Sequence, residues 1–328
     1  MADLSTTYMG IKLKNPVIAA SSGLTNSLTD IRELEQSGAA AVVLKSLFEE
    51  EIRIELEKDL TRMAREGFLY PETIDYYDTY DVEDTLTTYL KLIRDCKKEV
   101  SIPVIASINC VTAGKWPYYA STLQDAGADG LELNVFILPS DISQTAEENE
   151  NIYFEIIEKV KQQVTIPVAL KISYYSSNLA SLIERLSKTG IAGLVLFNRF
   201  YSPDIDIDRF EVLSTNVLSN PEEISLPLRW IAIMADRVGC NLAASTGIHD
   251  GKAVIKQLLA GACAVQVASA LYRNGKEHLN VMLNELDDWM NDKGFKQISD
   301  FRGRMSLSKT ENPAAYYRVQ FMKHFAGK

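Results

Sequence analysis

The chain has 328 residues, of which 46% are hydrophobic and 24% charged, a composition typical of a globular protein with a large core rather than of a disordered chain. Its formal net charge of −10 argues against a surface that binds nucleic acid, because such a surface needs clustered Lys and Arg. The N-terminal segment lacks signal-peptide features and no apolar run is long enough to span a bilayer, so we expect a cytoplasmic protein without a membrane partner.

Four copies of a two-strand pattern run along the chain. The strands that open the copies are NPVIAASS, IPVIASIN, IPVALKIS and CNLAASTG, and those that close them are SGAAAVVLKS, AGADGLELNV, TGIAGLVLFN and AGACAVQVAS. Each closing segment has a glycine before an apolar run. This order suits a helix C-terminus followed by a strand buried on both faces.

Between the two strands of each copy lie apolar residues at helical spacing, as in Leu179, Leu182, Ile183 and Leu186. Four copies of strand–helix–strand–helix give eight of each, and right-handed parallel crossovers of that number close into a barrel. We therefore predict an α/β fold, a single (β/α)8 TIM barrel domain over residues 1–328. An open doubly wound sheet is the alternative, but no G-x-G-x-x-G follows the first strand.

Three stretches depart from this period. Residues 47–82 are charged and then tyrosine-rich, and residues 200–226 are polar. Both follow even-numbered strands, so we predict lid insertions on the catalytic face, where long β/α loops lie. For the residues after Phe295 we predict a C-terminal helical tail that packs on the barrel or on a partner subunit.

Polar side chains stand at the carboxyl ends of the predicted strands, where the active site of such a barrel lies. They are Ser21, Ser22, Lys45, Ser46, Asn109, Asn134, Lys171, Ser173, Asn198, Arg199, Ser245, Thr246 and Ser269. The two lysines are informative, because a buried lysine is costly unless an anion or a hydrogen-bonding partner compensates it.

The ends of the seventh and eighth strands combine small residues, hydroxyls and helix starts, in AASTGIHDG and QVASAL. This is the usual phosphate site of the fold, because backbone N–H groups and helix dipoles point at it. Such a site fits FMN or a sugar phosphate. A lysine beside a flavin would stabilise negative charge on the reduced ring, whereas an aldolase would use one as a Schiff-base nucleophile.

Metal-ligand patterns are missing from the sequence. The four cysteines form no Cys-x-x-Cys pair, and the three histidines are scattered. Zinc and iron–sulfur sites need ligands at closer spacing. We predict no protein-bound metal.

Eight motifs resemble, in family order, those of the dihydroorotate dehydrogenase family and of the pyrimidine-reducing domain of dihydropyrimidine dehydrogenase. They are NPVIAAS, LKS, PVIASINC, GADGLELN, ALKIS, STGI, AGACAVQVASAL and MNDKGFKQISDFRGRM. The likeness covers most of the chain. It implies an FMN-binding barrel, a pyrimidine-like substrate and a homodimer.

The resemblance also implies roles for individual residues. Flavin contacts would come from Ala20, Ser21, Ser22, Lys45, Ser46, Asn109, Asn134, Lys171 and Ser173, and phosphate contacts from Ser245, Thr246, Gly247, Ala268 and Ser269. Catalytic or substrate contacts would come from Lys45 and Asn198.

The sequence departs from the family where the proton chemistry should lie. The family carries a Cys or Ser general base in the loop after ELN, but here the loop reads Val135, Phe136, Ile137, Leu138 and Pro139, with no side chain able to take a proton. The asparagine loop after the second strand is replaced by FLYPETIDYYDTYD, and a flavin-facing glycine pair by Glu223, Ile224 and Ser225. The residues that could substitute as a base are Cys110, Tyr70, Tyr76, Tyr174 and Tyr175.

The leading hypothesis is an FMN-dependent oxidoreductase that transfers a hydride between a dihydropyrimidine-like substrate and flavin N5. The alternatives are a dehydrogenase of a different small substrate, a flavin-binding protein that has lost catalysis, and a lyase of the aldolase type that uses Lys171.

Overall fold

The computed structural model describes residues 2–48, 85–109, 116–199, 202–215 and 217–317. The strands are β1 (Thr6–Tyr8), β2 (Ile11–Leu13), β3 (Val17–Ala19), β4 (Ala41–Val43), β5 (Leu47–Phe48), β6 (Val104–Asn109), β7 (Gly130–Asn134), β8 (Val168–Ile172), β9 (Gly193–Leu196), β10 (Ser202–Asp206), β11 (Glu211–Thr215), β12 (Asn241–Ser245) and β13 (Ala264–Val267). The α-helices are α1 (Leu28–Gln36), α2 (Thr85–Glu99), α3 (Trp116–Asp125), α4 (Ala146–Lys161), α5 (Leu179–Ser187), α6 (Ser225–Met234), α7 (Gly251–Ala260), α8 (Ser269–Asn274), α9 (His278–Lys293) and α10 (Ala314–Tyr317).

Eight of these strands form a closed parallel barrel in the order β3, β4, β6, β7, β8, β9, β12, β13 and back to β3. The (β/α)8 prediction is therefore confirmed, and each barrel strand falls in one of the eight predicted segments. The glycines before the closing strands, Gly38, Gly127, Gly190 and Gly261, all have positive φ, which is the left-handed conformation expected after a helix C-terminus.

A hairpin of β1 and β2 covers the amino-terminal end of the barrel. Its Tyr8, Met9 and Leu13 are buried in one apolar cluster with inward-facing barrel residues such as Ile18 and Ala169. The Met9 backbone N–H donates to Asn241 Oδ1 at 2.9 Å. This end of the barrel is closed by apolar packing.

The second strand is interrupted at its carboxyl end. Val43 pairs with Ile105, and Leu47 pairs with Ile108, so the second strand has one more residue between these pairs than β6 has. Such a β-bulge re-aims a side chain, and it places Lys45 in the irregular segment between β4 and β5.

The predicted insertions and tail differ in their outcome. The part of the second insertion that the structure describes contains the antiparallel hairpin of β10 and β11, whereas most of the first insertion lies outside the described residues. The tail is only partly helical: FRGRM forms turns, with Gly303 N–H donating to Leu258 O at 2.9 Å, and α10 follows. None of the described helices is long and apolar enough to cross a bilayer.

Candidate active site

A cavity of about 540 Å³ opens at the carboxyl ends of the strands, within the range of about 300–1,000 Å³ usual for small-molecule and cofactor sites. Ten of the predicted site residues line it: Ala20, Ser21, Ser22, Lys171, Asn198, Ser245, Thr246, Gly247, Ala268 and Ser269. Strands far apart in sequence thus bring these side chains to one place.

Five further predicted residues lie outside that lining: Lys45, Ser46, Asn109, Asn134 and Ser173. Two of them contact residues that line the cavity. Ser46 Oγ lies 3.2 Å from Ser21 Oγ, and Asn198 Nδ2 donates to Asn134 Oδ1 at 2.7 Å. Cys110, the remaining predicted residue, lies outside the described residues.

Lys171 lies at the floor of the cavity and is buried. Its Nζ donates to Gln266 Oε1 at 3.0 Å, and Gln266 Nε2 donates to Glu132 Oε2. Lys171 Nζ also lies 3.7 Å from Glu132 Oε1. The sequence predicted that an anion or hydrogen-bonding partner would compensate this lysine, and the barrel interior supplies both.

A chain of hydroxyl groups runs along the other side of the rim. Ser46 Oγ is 2.8 Å from Ser107 Oγ, and the Ser46 backbone N–H donates to Ser21 Oγ at 2.9 Å. Tyr89 of α2 donates its hydroxyl to Ser107 O at 3.2 Å. Burial raises the pKa of Tyr89, and the charge of Glu132 raises it further. Tyr89 is therefore a neutral phenol that anchors the rim.

The loops after β12 and β13, together with the segment between β11 and α6 that contains Ser219, form the hydroxyl-rich part of the cavity. Ser219 donates its backbone N–H to Ser269 Oγ at 2.9 Å, and its own Oγ lies 3.1 Å from His249 Nε2. Burial and the charge of Arg273 lower the pKa of His249, so the ring is neutral over most of the physiological range. It holds the Ser219 hydroxyl beside the cavity.

Close backbone packing shapes the same loop. Gly247 has φ +74, and a Cβ there would lie 2.1 Å from the backbone nitrogen of Ile224. Thr246 also has positive φ, at 80°, which is rare for a β-branched residue and marks functional sites more often than ordinary loops. The strained turn and the surrounding hydroxyls make a cradle suited to a phosphate group.

Arg199 forms one wall. Its Nε and Nη2 donate to the two carboxylate oxygens of Glu223 at 2.8 and 3.2 Å. Although burial raises the pKa of Glu223, hydrogen bonds from Arg199 and from the backbone of Asn220 lower it by more. Each charge of this wall therefore faces an opposite charge.

A smaller cavity of about 200 Å³ adjoins the first one. Asn198, Arg199 and Thr246 line both, and Tyr174 and Phe197 wall the smaller one. The two rings pack edge to face with centroids 5.9 Å apart. Together the cavities could hold a larger ring system beside a smaller, flat molecule.

The loop after β7 is apolar, as its sequence predicts. Val135 is buried, whereas Phe136 and Leu138 are exposed. The hydroxyl of Ser173 donates to Ile137 O of this loop at 3.1 Å. No side chain of this loop can act as a general base.

Of the residues proposed to replace that base, Tyr174 and Tyr175 are described. Their hydroxyls lie 3.3 Å apart, and this hydrogen bond, with burial, raises the pKa of Tyr174 to about 12. A phenol of that pKa is a poor base near neutral pH. Tyr70 and Tyr76 lie outside the described residues.

Sequence reasoning missed Glu132, Gln266 and Ser219. A carboxylate in the apolar strand GLELN and an amide in AVQVAS are the signals that could have drawn attention, since polar residues in buried strands need partners. Ser219 has no comparable signal, because it lies in an irregular loop.

The donor set fits a phosphorylated flat cofactor. The cationic and amide end, with Lys171 and the pair of Asn134 and Asn198, could hold the carbonyl and N–H groups of a ring. The other end, with Ser219, Ser269 and Gly247, could hold a phosphate. Among the described residues no cluster of His, Cys, Asp or Glu could hold a metal ion.

Comparisons with known proteins agree with this architecture. The family model described as dihydroorotate dehydrogenase matches residues 80–290. The catalytic subunit of dihydroorotate dehydrogenase B (NAD(+)) from Thermoplasma volcanium is 28% identical over 313 residues, which cover 92% of this chain and 98% of that protein. The NAD-dependent dihydropyrimidine dehydrogenase subunit PreA from Escherichia coli K12 is 24% identical over 321 residues, covering 92% of this chain and 76% of that protein.

The matched segment contains β6 to β13, with Lys171, Asn198 and the loop of Gly247. It spans more than half of the chain. The chain therefore belongs to the dihydroorotate dehydrogenase family, whose members are flavin-dependent oxidoreductases that act on CH–CH groups.

Proposed function

We propose that the protein binds FMN and transfers a hydride between a small dihydropyrimidine-like molecule and N5 of the flavin. The observation that carries this proposal is a single cavity lined both by the buried Lys171 and by the hydroxyl-bearing loops around Gly247 and Ser269. FMN has a ring that gains negative charge on reduction and a phosphate at the end of its chain, and this cavity offers a partner for each.

When bound, the flavin supplies an acceptor or donor for the electron pair of a substrate C–H bond. The protein's part is to hold and orient the reactants. Lys171 places positive charge where the reduced ring is negative, and Ser219, Ser269 and the Gly247 loop bind the phosphate. Asn198 lines both cavities, so its amide is suited to the carbonyl and N–H edge of a substrate beside the ring.

The contacts of Lys171 favour this role over that of an aldolase nucleophile. A Schiff-base lysine must be neutral to attack a carbonyl. Here Nζ donates to Gln266 Oε1 at 3.0 Å and lies 3.7 Å from the carboxylate of Glu132, so it is engaged with acceptors of the barrel interior.

The apolar loop after β7 limits the substrate chemistry. Oxidation of a dihydropyrimidine removes a hydride from one carbon and a proton from its neighbour, and the proton must pass to a base. Since Val135 to Leu138 cannot accept it, the proton must pass to a group elsewhere or to water. We infer that oxidation of dihydroorotate is slower than in family members with the loop base, by about 10²–10⁴-fold.

The test is a binding and reduction experiment on the purified chain. FMN, FAD and riboflavin are added separately, and retained flavin is measured after gel filtration; we expect FMN to be retained best. The FMN complex is then titrated anaerobically with dihydroorotate, dihydrouracil and NADH, the last because relatives carry NAD in their names. Bleaching by a dihydropyrimidine supports the proposal, and a protein that retains no FMN contradicts it.

A matched pair of variants sharpens this test. Lys171→Met removes the ammonium at the cavity floor, whereas Lys256→Met removes an exposed lysine of α7. We expect only the first to weaken FMN binding and slow the reduction. Equal behaviour of the two variants would contradict a role for Lys171.

The apolar loop favours a second candidate, a flavin-binding protein without catalysis. It predicts tight FMN binding and no bleaching by any of the three reductants. Bleaching followed by rapid reoxidation with fumarate or a quinone would exclude it. The homodimer, which the family resemblance implies, can be tested by light scattering of the same preparation, and the predicted cytoplasmic location by fractionation of cells that express the protein.

A further inference from the structure

The barrel interior contains a buried polar chain that leads to Lys171. Glu132 of β7 is 1% exposed and Gln266 of β13 is 2% exposed, and the two strands are not neighbours in the barrel. Gln266 joins them across the interior by donating to Glu132 and accepting from Lys171 Nζ. The amide therefore has one defined orientation between a carboxylate and an ammonium.

In this buried polar chain, the charges of the Glu132 carboxylate and the Lys171 ammonium compensate each other. A buried carboxylate without a compensating charge costs several kcal/mol. Gln266 donates to Oε2 of the Glu132 carboxylate, whereas Oε1 has no hydrogen-bond partner among the described residues. The Lys171 ammonium, 3.7 Å from that oxygen, supplies the compensating charge.

Among the described residues, the phenols of Tyr8 in β1 and Tyr89 in α2 also face Glu132. Burial raises the pKa of each, and the negative charge of Glu132 raises both further. Both phenols are therefore neutral near neutral pH. Within the described part of the interior, Glu132 and Lys171 form the charged pair.

We propose that Glu132, through Gln266, is a positioning residue that keeps Lys171 a charged ammonium at the cavity floor whatever the redox state of the cofactor. This inference rests on the proposed function, because Lys171 acts on a bound flavin. A lysine that is already charged takes up no proton when the ring above it becomes negative. Reduction by two electrons then consumes one proton from solvent, and the ring keeps one negative charge that Lys171 offsets.

Removing the carboxylate changes this proton count. In Glu132→Gln the buried lysine loses its compensating charge, and burial then favours the neutral amine while the flavin is oxidised. Reduction makes the ring negative and draws a proton onto Lys171. Two electrons now consume two protons, one on the ring and one on the lysine.

The experiment measures the midpoint potential of the bound FMN from neutral to mildly alkaline pH, with reduction by dithionite and a reference dye. The expected slope against pH in Glu132→Gln is twice that of the parent protein. The double variant Glu132→Gln with Lys171→Met, which has no lysine to protonate, should return to the parent slope. An unchanged slope in Glu132→Gln with FMN bound would overturn the inference, because a structural role alone leaves the proton count as it was.

A second measurement needs no flavin. Reductive methylation with formaldehyde and a borohydride labels neutral amines, and mass spectrometry of the peptides reports labelling of Lys171 as a function of pH. In Glu132→Gln we expect the labelling profile of Lys171 to move to lower pH, while that of the exposed Lys256 stays fixed. An unmoved profile for Lys171 overturns the inference. A parent protein that binds no flavin refutes the proposed function alone, since the labelling still decides the charge of Lys171.

Discussion

At the amino-terminal end of the barrel, inward-facing positions carry side chains such as Ile18 and Ala169, packed against Met9 of the covering hairpin. Further along the interior the strands carry Glu132, which is the register partner of Ala169, and then Lys171 towards the carboxyl end. Side chains alternate between the interior and the outside along the whole length of each strand. The interior is therefore apolar in one part and polar in the other only because different residues occupy the inward-facing positions. Apolar packing at one end provides stability that offsets the cost of the buried polar groups at the other.

The largest effect should come from breaking the charged pair at the polar end. Lys171→Met leaves the Glu132 carboxylate buried without its cation, and breaking a buried pair in this way costs about 3–5 kcal/mol. Urea denaturation of the flavin-free protein measures the loss. The double variant with Glu132→Gln should recover most of it. A single variant as stable as the parent would mean that Glu132 and Lys171 do not act as a charged pair.

A substitution at the apolar end should lower the stability of the protein without changing its affinity for FMN. Met9→Ala removes a buried side chain that packs at the start of β7, and we expect a loss of about 3 kcal/mol. FMN affinity of the folded protein should stay unchanged, because the hairpin lies at the opposite end. Met305→Ala, at a side chain that is 44% exposed, is the control and should cost little. A loss of FMN affinity in Met9→Ala would mean that the two ends are coupled.

The phosphate cradle can be tested by a single methyl group. In Gly247→Ala the new Cβ meets the backbone nitrogen of Ile224 in a residue with φ +74, so the loop must shift. We expect stability to fall by about 1–2 kcal/mol and FMN affinity to fall about tenfold, or about 1.4 kcal/mol. Riboflavin, which lacks the phosphate, should lose less affinity.

Gly239→Ala is the matched control for this change, because a Cβ there meets nothing within 4 Å. Both affinities should stay at the parent values in that variant. Equal losses of FMN and riboflavin affinity in Gly247→Ala would place the phosphate elsewhere.

The sequence predicted the barrel well because its signals are local. The glycines Gly38, Gly127, Gly190 and Gly261 mark helix ends by their backbone conformation alone, and the strand that follows each one is read from adjacent residues. The position of Lys171 near a strand end is also read from adjacent residues, because it stands near the end of the apolar segment IPVALKIS. Ten of the predicted site residues line one cavity because the ends of the strands were predicted correctly.

The partners of that lysine could not be predicted in the same way. Glu132 and Gln266 lie on strands that do not pair, and strands buried on both faces give no sequence signal for which face is the interior. The bulge that displaces Lys45 depends on the register between β5 and β6, which local pattern does not fix. Met9, with φ 55, has a turn conformation that its residue type does not favour.

The smallest expected effects come from removing one hydroxyl group at each end of the barrel. The hydroxyl of Tyr8, at the closed end, is buried without a hydrogen-bond partner among the described residues, so Tyr8→Phe removes an unpaid desolvation cost and should stabilise the protein by up to about 1 kcal/mol. Tyr89→Phe, near the rim, removes a hydroxyl that bonds both the N–H and the carbonyl of Ser107, and should destabilise it by about 1–2 kcal/mol. Urea denaturation of the two variants side by side measures both changes. If Tyr8→Phe costs as much as Tyr89→Phe, an ordered water satisfies the Tyr8 hydroxyl, and the amino-terminal end of the barrel is less dry than its side chains indicate.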